Sequence, residues 1–167
     1  MTAATSLNLA VVTVSDTRTE ETDKSGRVLV ECLQEAGHNL HSKQIVRDDV
    51  YQLRSVASQL IADADVHGVL MTGGTGFTAR DNTMRAIQPL LDVHIEGFGE
   101  LFRQLSYAEI GTSTIQSRAF AGMANGCIVF CVPGSPGACK TAWDGVIAEQ
   151  LDSSHKPCNF VDKLRID

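Results

Sequence analysis

Several features that would assign the chain to a common class of protein are missing from its 167 residues. No apolar run approaches the roughly 18 residues of a membrane-spanning helix, and residues 1–7 lack the basic and apolar regions of a signal peptide. The net charge is −6, and there is no basic stripe of the kind that nucleic acid requires. We therefore expect a cytoplasmic protein that binds neither nucleic acid nor a membrane.

The cysteine pattern excludes further classes. The chain has five cysteines, an odd number, and no C-x-x-C pair, which argues for free thiols rather than for disulfides or a zinc site. Cys127 and Cys131 flank an apolar run and are expected to be buried. Cys139 follows a glycine turn, which fits either a packed thiol or one whose pKa is lowered at a helix N-terminus.

No internal repeat and no linker-like segment divides the chain. Hydrophobic residues make up 43% of it and charged residues 20%, which is ordinary for a globular protein with a sizeable core. We therefore predict a single domain over residues 1–167.

Strand-like and helix-like segments alternate along the chain. Short apolar runs predict strands at residues 7–14, 39–46, 68–71, 93–95 and 127–132. Helical spacing of apolar residues predicts helices at residues 25–36, 50–63, 83 onward, 97–109 and 138–151. Residues 118–125 fit neither pattern, and the tail from residue 152 is predicted as coil. Strands joined by helical crossovers predict an α/β fold, a three-layer α/β/α sandwich around a mostly parallel sheet.

The most informative stretch is the glycine loop at residues 72–76, Thr-Gly-Gly-Thr-Gly, which follows a predicted strand and precedes a helix. Gly73, Gly74 and Gly76 carry no Cβ, so the backbone can approach a ligand closely. Free N–H groups at such a junction hold anions, and we interpret the loop as a phosphate cradle. The alternative is a purely structural turn. The loop is neither a P-loop nor a G-x-G-x-x-G dinucleotide fingerprint.

Further polar residues follow the other strands. Ligands bind beyond the carboxyl ends of parallel strands, so we expect these turns to meet at one edge of the sheet. The candidates are Ser15, Asp48 or Asp49, Thr72, Thr75, Asp81, Gly134 and Ser135. Carboxylates beside a phosphate suit Mg²⁺, and phosphoryl or nucleotidyl transfer rests on such charge neutralisation.

Each of these aspartates also occupies a plausible helix-capping position. Asp81, together with Asn82, precedes the helix predicted from residue 83. Either Asp48 or Asp49 precedes the helix predicted at residues 50–63. Ser25 is predicted to cap the first helix.

The glycine loop also resembles a known signature. Leu-Met-Thr-Gly-Gly-Thr-Gly-x₄-Asp at residues 70–81 is similar to the motif of the MoaB/MogA family of molybdenum cofactor biosynthesis proteins. Residues 14–16, 97–103, 117–119 and 133–135 match further family motifs. Residues 110–114 and 156–160 resemble the MoaB branch in particular.

The resemblance implies a molybdopterin-binding domain that assembles as a trimer or a hexamer. It implies adenylylation of molybdopterin with Mg²⁺ and ATP, with release of pyrophosphate before metal insertion. Residues 73–76 would cradle the terminal phosphate of molybdopterin, and Asp81 and Asp48 would be the acids that hold the metal, with Asp49 as the alternative register. Ser15 and the Gly134-Ser135 turn match other pocket positions. A non-catalytic molybdopterin carrier or scaffold is the alternative function.

The predicted helix at residues 97–109 carries several large apolar side chains. Phe98, Phe102 and Tyr107 suit either a subunit interface or packing within the monomer.

Overall fold

The computed structural model describes residues 4–166, which contain one six-stranded sheet. Its strands are β1 (Asn8–Val14), β2 (Asn39–Val46), β3 (Gly68–Thr72), β4 (Val93–His94), β5 (Phe120–Ala124) and β6 (Cys127–Val132). Their spatial order is β2-β1-β3-β6-β5-β4. The first four in that order are parallel, whereas β5 and β4 each run antiparallel to the preceding strand.

Helices connect the strands. They are α1 (Lys24–Glu35), α2 (Val50–Ala62), α3 (Thr83–Ile87), α4 (Glu96–Ile110), α5 (Pro136–Ala142) and α6 (Ala148–Gln150). A π-helical turn, Trp143–Ile147, joins α5 to α6. The 3₁₀ turns are Gln88–Leu90, Gly111–Gln116 and Val161–Lys163.

Each face of the sheet has its own apolar core. On one face α1, α4 and the segment from α5 to α6 pack through residues such as Leu29, Phe102 and Trp143. On the other face α2 and α3 pack through Leu53 and Ile87. The three-layer α/β/α sandwich with a mostly parallel sheet is therefore confirmed.

The segment that the sequence pattern left unassigned, residues 118–125, contains β5. A two-residue turn at Asn125 and Gly126 joins it to β6, and both residues have positive φ, 50° and 69°. An Asn-Gly pair with this geometry is typical of a tight β-hairpin. The antiparallel edge of the sheet begins at this hairpin.

Several local predictions need correction. Asp23, not Ser25, caps α1 by accepting a hydrogen bond from the Gly26 N–H. The last long helix begins at Pro136 rather than at residue 138. The tail predicted as coil includes a 3₁₀ turn and adds Val161 and Leu164 to a core.

The apolar side chains of α4 divide between two environments. Phe98 and Phe102 are buried within the monomer, so they are not anchors of a subunit interface. Tyr107 is exposed, as are Leu101, Ile110 and Ile115 along α4 and the 3₁₀ turn after it. Within residues 4–166, none of the helices has the length and apolar character needed to span a bilayer.

The cysteine predictions separate as well. Cys127 and Cys131 are buried strand residues, as predicted. Cys139 lies in α5 and is also buried, and its burial raises the thiol pKa to about 11. A thiol activated at a helix N-terminus is therefore the wrong alternative for Cys139.

Candidate functional site

The sheet changes winding direction between β1 and β3. From β1 the chain crosses to β2 on one side, and β3 and β6 then lie on the other side of β1. Ligands of open parallel sheets bind beyond the strand ends at such a switch point. Ser15 follows β1 here, and the glycine loop follows β3.

The turn after β6 packs directly against the glycine loop. The Thr72 hydroxyl donates to the Pro133 carbonyl oxygen at 2.9 Å. A Cβ added to Gly134 would lie 3.1 Å from the Cα of Gly73. Ser15, Thr72 and Gly134 line one cavity of about 110 Å³. Ser135 does not line this cavity, because its hydroxyl caps α5 by accepting from the Ala138 N–H.

The glycine loop presents several backbone donors without protein acceptors. The Gly73 N–H is bonded to the Val132 carbonyl oxygen. Among residues 4–166, however, the N–H groups of residues 74–77 donate no hydrogen bond. Gly73 has a φ of 105°, and a Cβ there would overlap the Val14 carbonyl oxygen. Glycine at this position therefore permits a run of open donors that an anion can accept.

Asp81 faces this loop. A Cβ on Gly76 would lie only 2.7 Å from the Asp81 Oδ2 atom. The same oxygen accepts hydrogen bonds from the Thr78 N–H at 2.9 Å and from the Thr78 hydroxyl at 2.6 Å. Asn82 is the N-cap residue of α3, as predicted, but its side chain makes no capping hydrogen bond.

The structure distinguishes Asp48 from Asp49. Asp49 caps α2, accepting from the N–H groups of residues 51 and 52. The Asp48 Oδ1 atom accepts from the Asn82 N–H at 3.0 Å. A Cβ on Gly74 would lie 3.0 Å from the Asp48 Oδ2 atom. Asp48 therefore lies at the glycine loop, and Asp49 has a structural role.

The two loop-facing acids repel each other. Burial raises the pKa of the Asp48 carboxyl, hydrogen bonds from Asn82 lower it, and the charge of Asp81 raises it further. Asp48 and Asp81 both face the glycine loop with donors committed to only some of their oxygens, and two such carboxylates fit a hard divalent cation such as Mg²⁺.

Two further residues at this edge were missed by the sequence analysis as members of the site. Asp16 accepts from the Asp48 N–H at 3.0 Å and also pairs with Arg80, so it links the two acidic turns. Arg118 donates to the carbonyl oxygens of Gly76 and Asp81. The turn at residues 15–16 was expected at this edge, but Asp16 was not predicted as a site residue. Arg118 appeared only within a motif of the resemblance, because nothing in composition or spacing connects it to residues 76–81.

The chain matches a family model described as "Probable molybdopterin binding domain" over residues 10–153. It is 52% identical over 157 residues to molybdenum cofactor biosynthesis protein B of Escherichia coli (strain K12), covering 94% of this chain and 92% of that protein. The corresponding protein of Bacillus subtilis (strain 168) is 46% identical over 142 residues, 84% of each chain.

Solved structures agree with the sequence matches. A crystal structure of molybdenum cofactor biosynthesis protein B superposes with a TM-score of 0.87 at 47% identity, covering 89% of this chain and 93% of that one. The tungsten cofactor synthesizing protein MoaB of Pyrococcus furiosus superposes with a TM-score of 0.78 at 36% identity, covering 88% and 94%. The chain therefore belongs to the MoaB/MogA family of molybdenum cofactor biosynthesis proteins.

Proposed function

We propose that this protein takes part in molybdenum cofactor biosynthesis by binding molybdopterin and adenylylating it with Mg-ATP before molybdate insertion. One observation supports this proposal above all. Asp48 and Asp81 both lie against a glycine loop whose N–H groups at residues 74–77 donate no hydrogen bond within residues 4–166. An anion and a divalent cation can then be held side by side.

The loop donors are suited to the terminal phosphate of molybdopterin. Four consecutive N–H groups neutralise part of its charge without adding a side chain. In the adjoining cavity, Ser15 and Gly134 would offer a hydroxyl and backbone groups to the rest of the pterin, whereas the Thr72 hydroxyl already donates to the Pro133 carbonyl oxygen. Arg18 and Lys24 also line this cavity and add positive charge for an anionic ligand, while the Asp23 carboxylate in the same lining is paired with Lys43.

Asp48 and Asp81 would hold Mg²⁺, which neutralises triphosphate charge when it is bound. In the proposed reaction a terminal phosphate oxygen of molybdopterin forms a bond to the α-phosphorus of ATP. The bond from that phosphorus to the oxygen bridging to the β-phosphate breaks, and pyrophosphate leaves with the electron pair. A phosphate monoester is mostly ionised at pH 7, so the protein need not remove a proton from it. The protein's part is to position two anions and reduce their repulsion.

The direct test incubates the protein with molybdopterin, Mg²⁺ and labelled ATP, beside a family enzyme of known activity. We expect a labelled, adenylylated pterin and one pyrophosphate per turnover. No product, under conditions where the control enzyme works, would contradict the proposal. If calorimetry then detected molybdopterin binding without Mg²⁺-dependent nucleotide binding, the non-catalytic carrier would replace the enzyme.

The trimer or hexamer implied by the resemblance is also a proposal. Three exposed apolar side chains at the end of α4 and in the 3₁₀ turn after it, those of Tyr107, Ile110 and Ile115, support it. Light scattering should give three or six times the 18.0 kDa of one chain. A mass equal to that of one chain would contradict it.

A further inference from the structure

Arg118 connects the antiparallel part of the sheet to the segment that carries Asp81. It lies just before β5, and its backbone N–H donates to the Thr75 carbonyl oxygen at 2.9 Å. Its Nε atom donates to the Gly76 carbonyl oxygen at 2.8 Å, and Nη2 donates to the same oxygen. Nη2 also donates to the Asp81 carbonyl oxygen at 3.2 Å. One guanidinium therefore holds both ends of residues 76–81, which we call the acid loop.

The charge of this guanidinium is directed at backbone carbonyls. Among the ion pairs of residues 4–166, none involves Arg118. Hydrogen bonds from a charged donor are stronger than neutral ones, and the planar fork of arginine reaches two carbonyls at once. Lysine keeps the charge but lacks that fork.

The middle of the acid loop has few other attachments. Residues 77–80 are exposed, and Phe77 is 63% exposed despite being apolar. Thr78 bonds within the loop, to Asp81. Arg80 forms an ion pair with Asp16, but the pair lies at the surface, where ion pairs contribute little to stability. Among the residues of the acid loop, attachment to the sheet therefore depends strongly on Arg118, while Asn82, the next residue, is bonded separately to Asp48.

We propose that Arg118 is a positioning residue that fixes the acid loop so that the Asp81 carboxylate faces Gly76. Arg118 acts through Asp81, so its effect on catalysis rests on the function proposed above. Its effect on the position of the loop does not depend on that function, so the positioning role and the proposed function can be tested separately.

Arg103 provides a matched control. It lies in the same groove of about 610 Å³ between α4 and β5 that Arg118 lines. Its Nη1 atom also donates to backbone carbonyls, those of Ser117 at 3.4 Å and Ala119 at 3.2 Å. These carbonyls flank Arg118 in sequence and do not belong to the acid loop. Removing Arg103 thus removes two longer bonds to backbone carbonyls, neither of which belongs to the acid loop.

The first test measures the rate of trypsin cleavage after Arg80, which lies in the acid loop with a side chain 75% exposed. Cleavage of a folded protein follows local opening. We expect Arg118→Met to raise this rate about 10-fold over wild type and Arg118→Lys to raise it about 3-fold. Arg103→Met should change it less than 2-fold. Equal cleavage rates in wild type and Arg118→Lys would overturn the proposal, as would a rise in Arg103→Met equal to that in Arg118→Met. The lysine variant keeps the proposal testable if Arg118→Met does not fold.

The second test measures adenylylation as a function of Mg²⁺ concentration. Arg118→Met should need about 10-fold more Mg²⁺ for half-maximal rate and should have a lower kcat, with the KM for molybdopterin within about 3-fold of wild type. Arg103→Met should match wild type in all three. A rise confined to the KM for molybdopterin would overturn the positioning role, because Arg118 would then contact the substrate. If the wild type shows no adenylylation, the proposed function fails, and the cleavage rates still decide whether Arg118 fixes the loop.

Discussion

The backbone polar groups at the two ends of the parallel strands differ in whether they have hydrogen-bond partners within the protein. At the amino end, side chains form hydrogen bonds with backbone groups that have no partner within the sheet. The Asn8 N–H donates to the His67 Nδ1 atom at 2.8 Å, and the Leu7 N–H donates to the His38 Nδ1 atom at 3.2 Å. Arg165 donates to the carbonyl oxygens of residues 63, 66 and 125.

At the carboxyl end, the N–H groups of residues 74–77 donate no hydrogen bond within residues 4–166, and Asp48 and Asp81 both face the same glycine loop. Like charges near one another lower stability unless a cation neutralises them, and donors left to solvent can bond an anion instead. The comparison therefore assigns stability to the amino end and function to the carboxyl end. Substitutions at the two ends should have separable effects.

The largest effect is expected from Asp81→Asn. Removing one negative charge from the cation site should lower the adenylylation rate about 1000-fold. The amide oxygen can still accept from Thr78, so the melting temperature and molybdopterin affinity should stay close to wild type. Asp49→Asn is the matched control, because asparagine caps a helix as well as aspartate does. Full turnover in Asp81→Asn, or equal loss in both variants, would refute the assigned role.

Arg165→Met should show the opposite pattern. Three carbonyl oxygens lose a charged donor, so the free energy of unfolding in urea should fall by about 2–4 kcal/mol. The activity per folded molecule should not change. Arg27→Met is the control, because Arg27 makes only long, exposed contacts with carbonyl oxygens and should lose less than about 0.5 kcal/mol. A loss of specific activity in Arg165→Met would mean that the two ends are not separable.

A smaller effect should appear in the pH dependence of stability at the amino end. Burial lowers the pKa of His38 below its ordinary 6.5, against the opposing charge of Asp152. The unfolded chain then binds a proton before the folded one does, so stability should fall as pH drops through 6.5. The His38→Asn variant retains an acceptor for the Leu7 N–H. Between pH 7.5 and 5.5, the fall in its melting temperature should be about 3 °C smaller than the fall in wild type. Parallel curves for variant and wild type would contradict this.

The smallest effect on stability is expected from Asp48→Asn, and it has the opposite sign. Burial and the charge of Asp81 raise the pKa of Asp48 in the folded state, so ionised Asp48 opposes folding at neutral pH. The variant should melt about 2 °C higher than wild type at pH 8, and the gain should vanish as pH falls and protonates Asp48. A lower melting temperature at pH 8 would show that Asp48 stabilises the fold instead.

Sequence patterns predicted much of the fold because buried parallel strands are continuous apolar runs. The hairpin strand β5 was not predicted, because its small residues and glycine give no clear alternation of apolar and polar side chains. The Asn125-Gly126 pair was the available signal for it. In the site, neighbouring acids looked alike in sequence, and the choice between Asp48 and Asp49 needed the direction of each side chain. The contacts of Arg118 join residues 37 to 42 positions apart, which no local pattern records.

The central claim is that the glycine loop binds the pterin phosphate while Asp48 and Asp81 hold the metal. Its most direct test is a crystal structure with molybdopterin, Mg²⁺ and a non-hydrolysable ATP analogue. The account predicts the phosphate within about 3 Å of the N–H groups of residues 74–77, and a metal bound by both aspartates. A phosphate seated elsewhere, such as in the groove between α4 and β5, with neither aspartate on a metal, would contradict it.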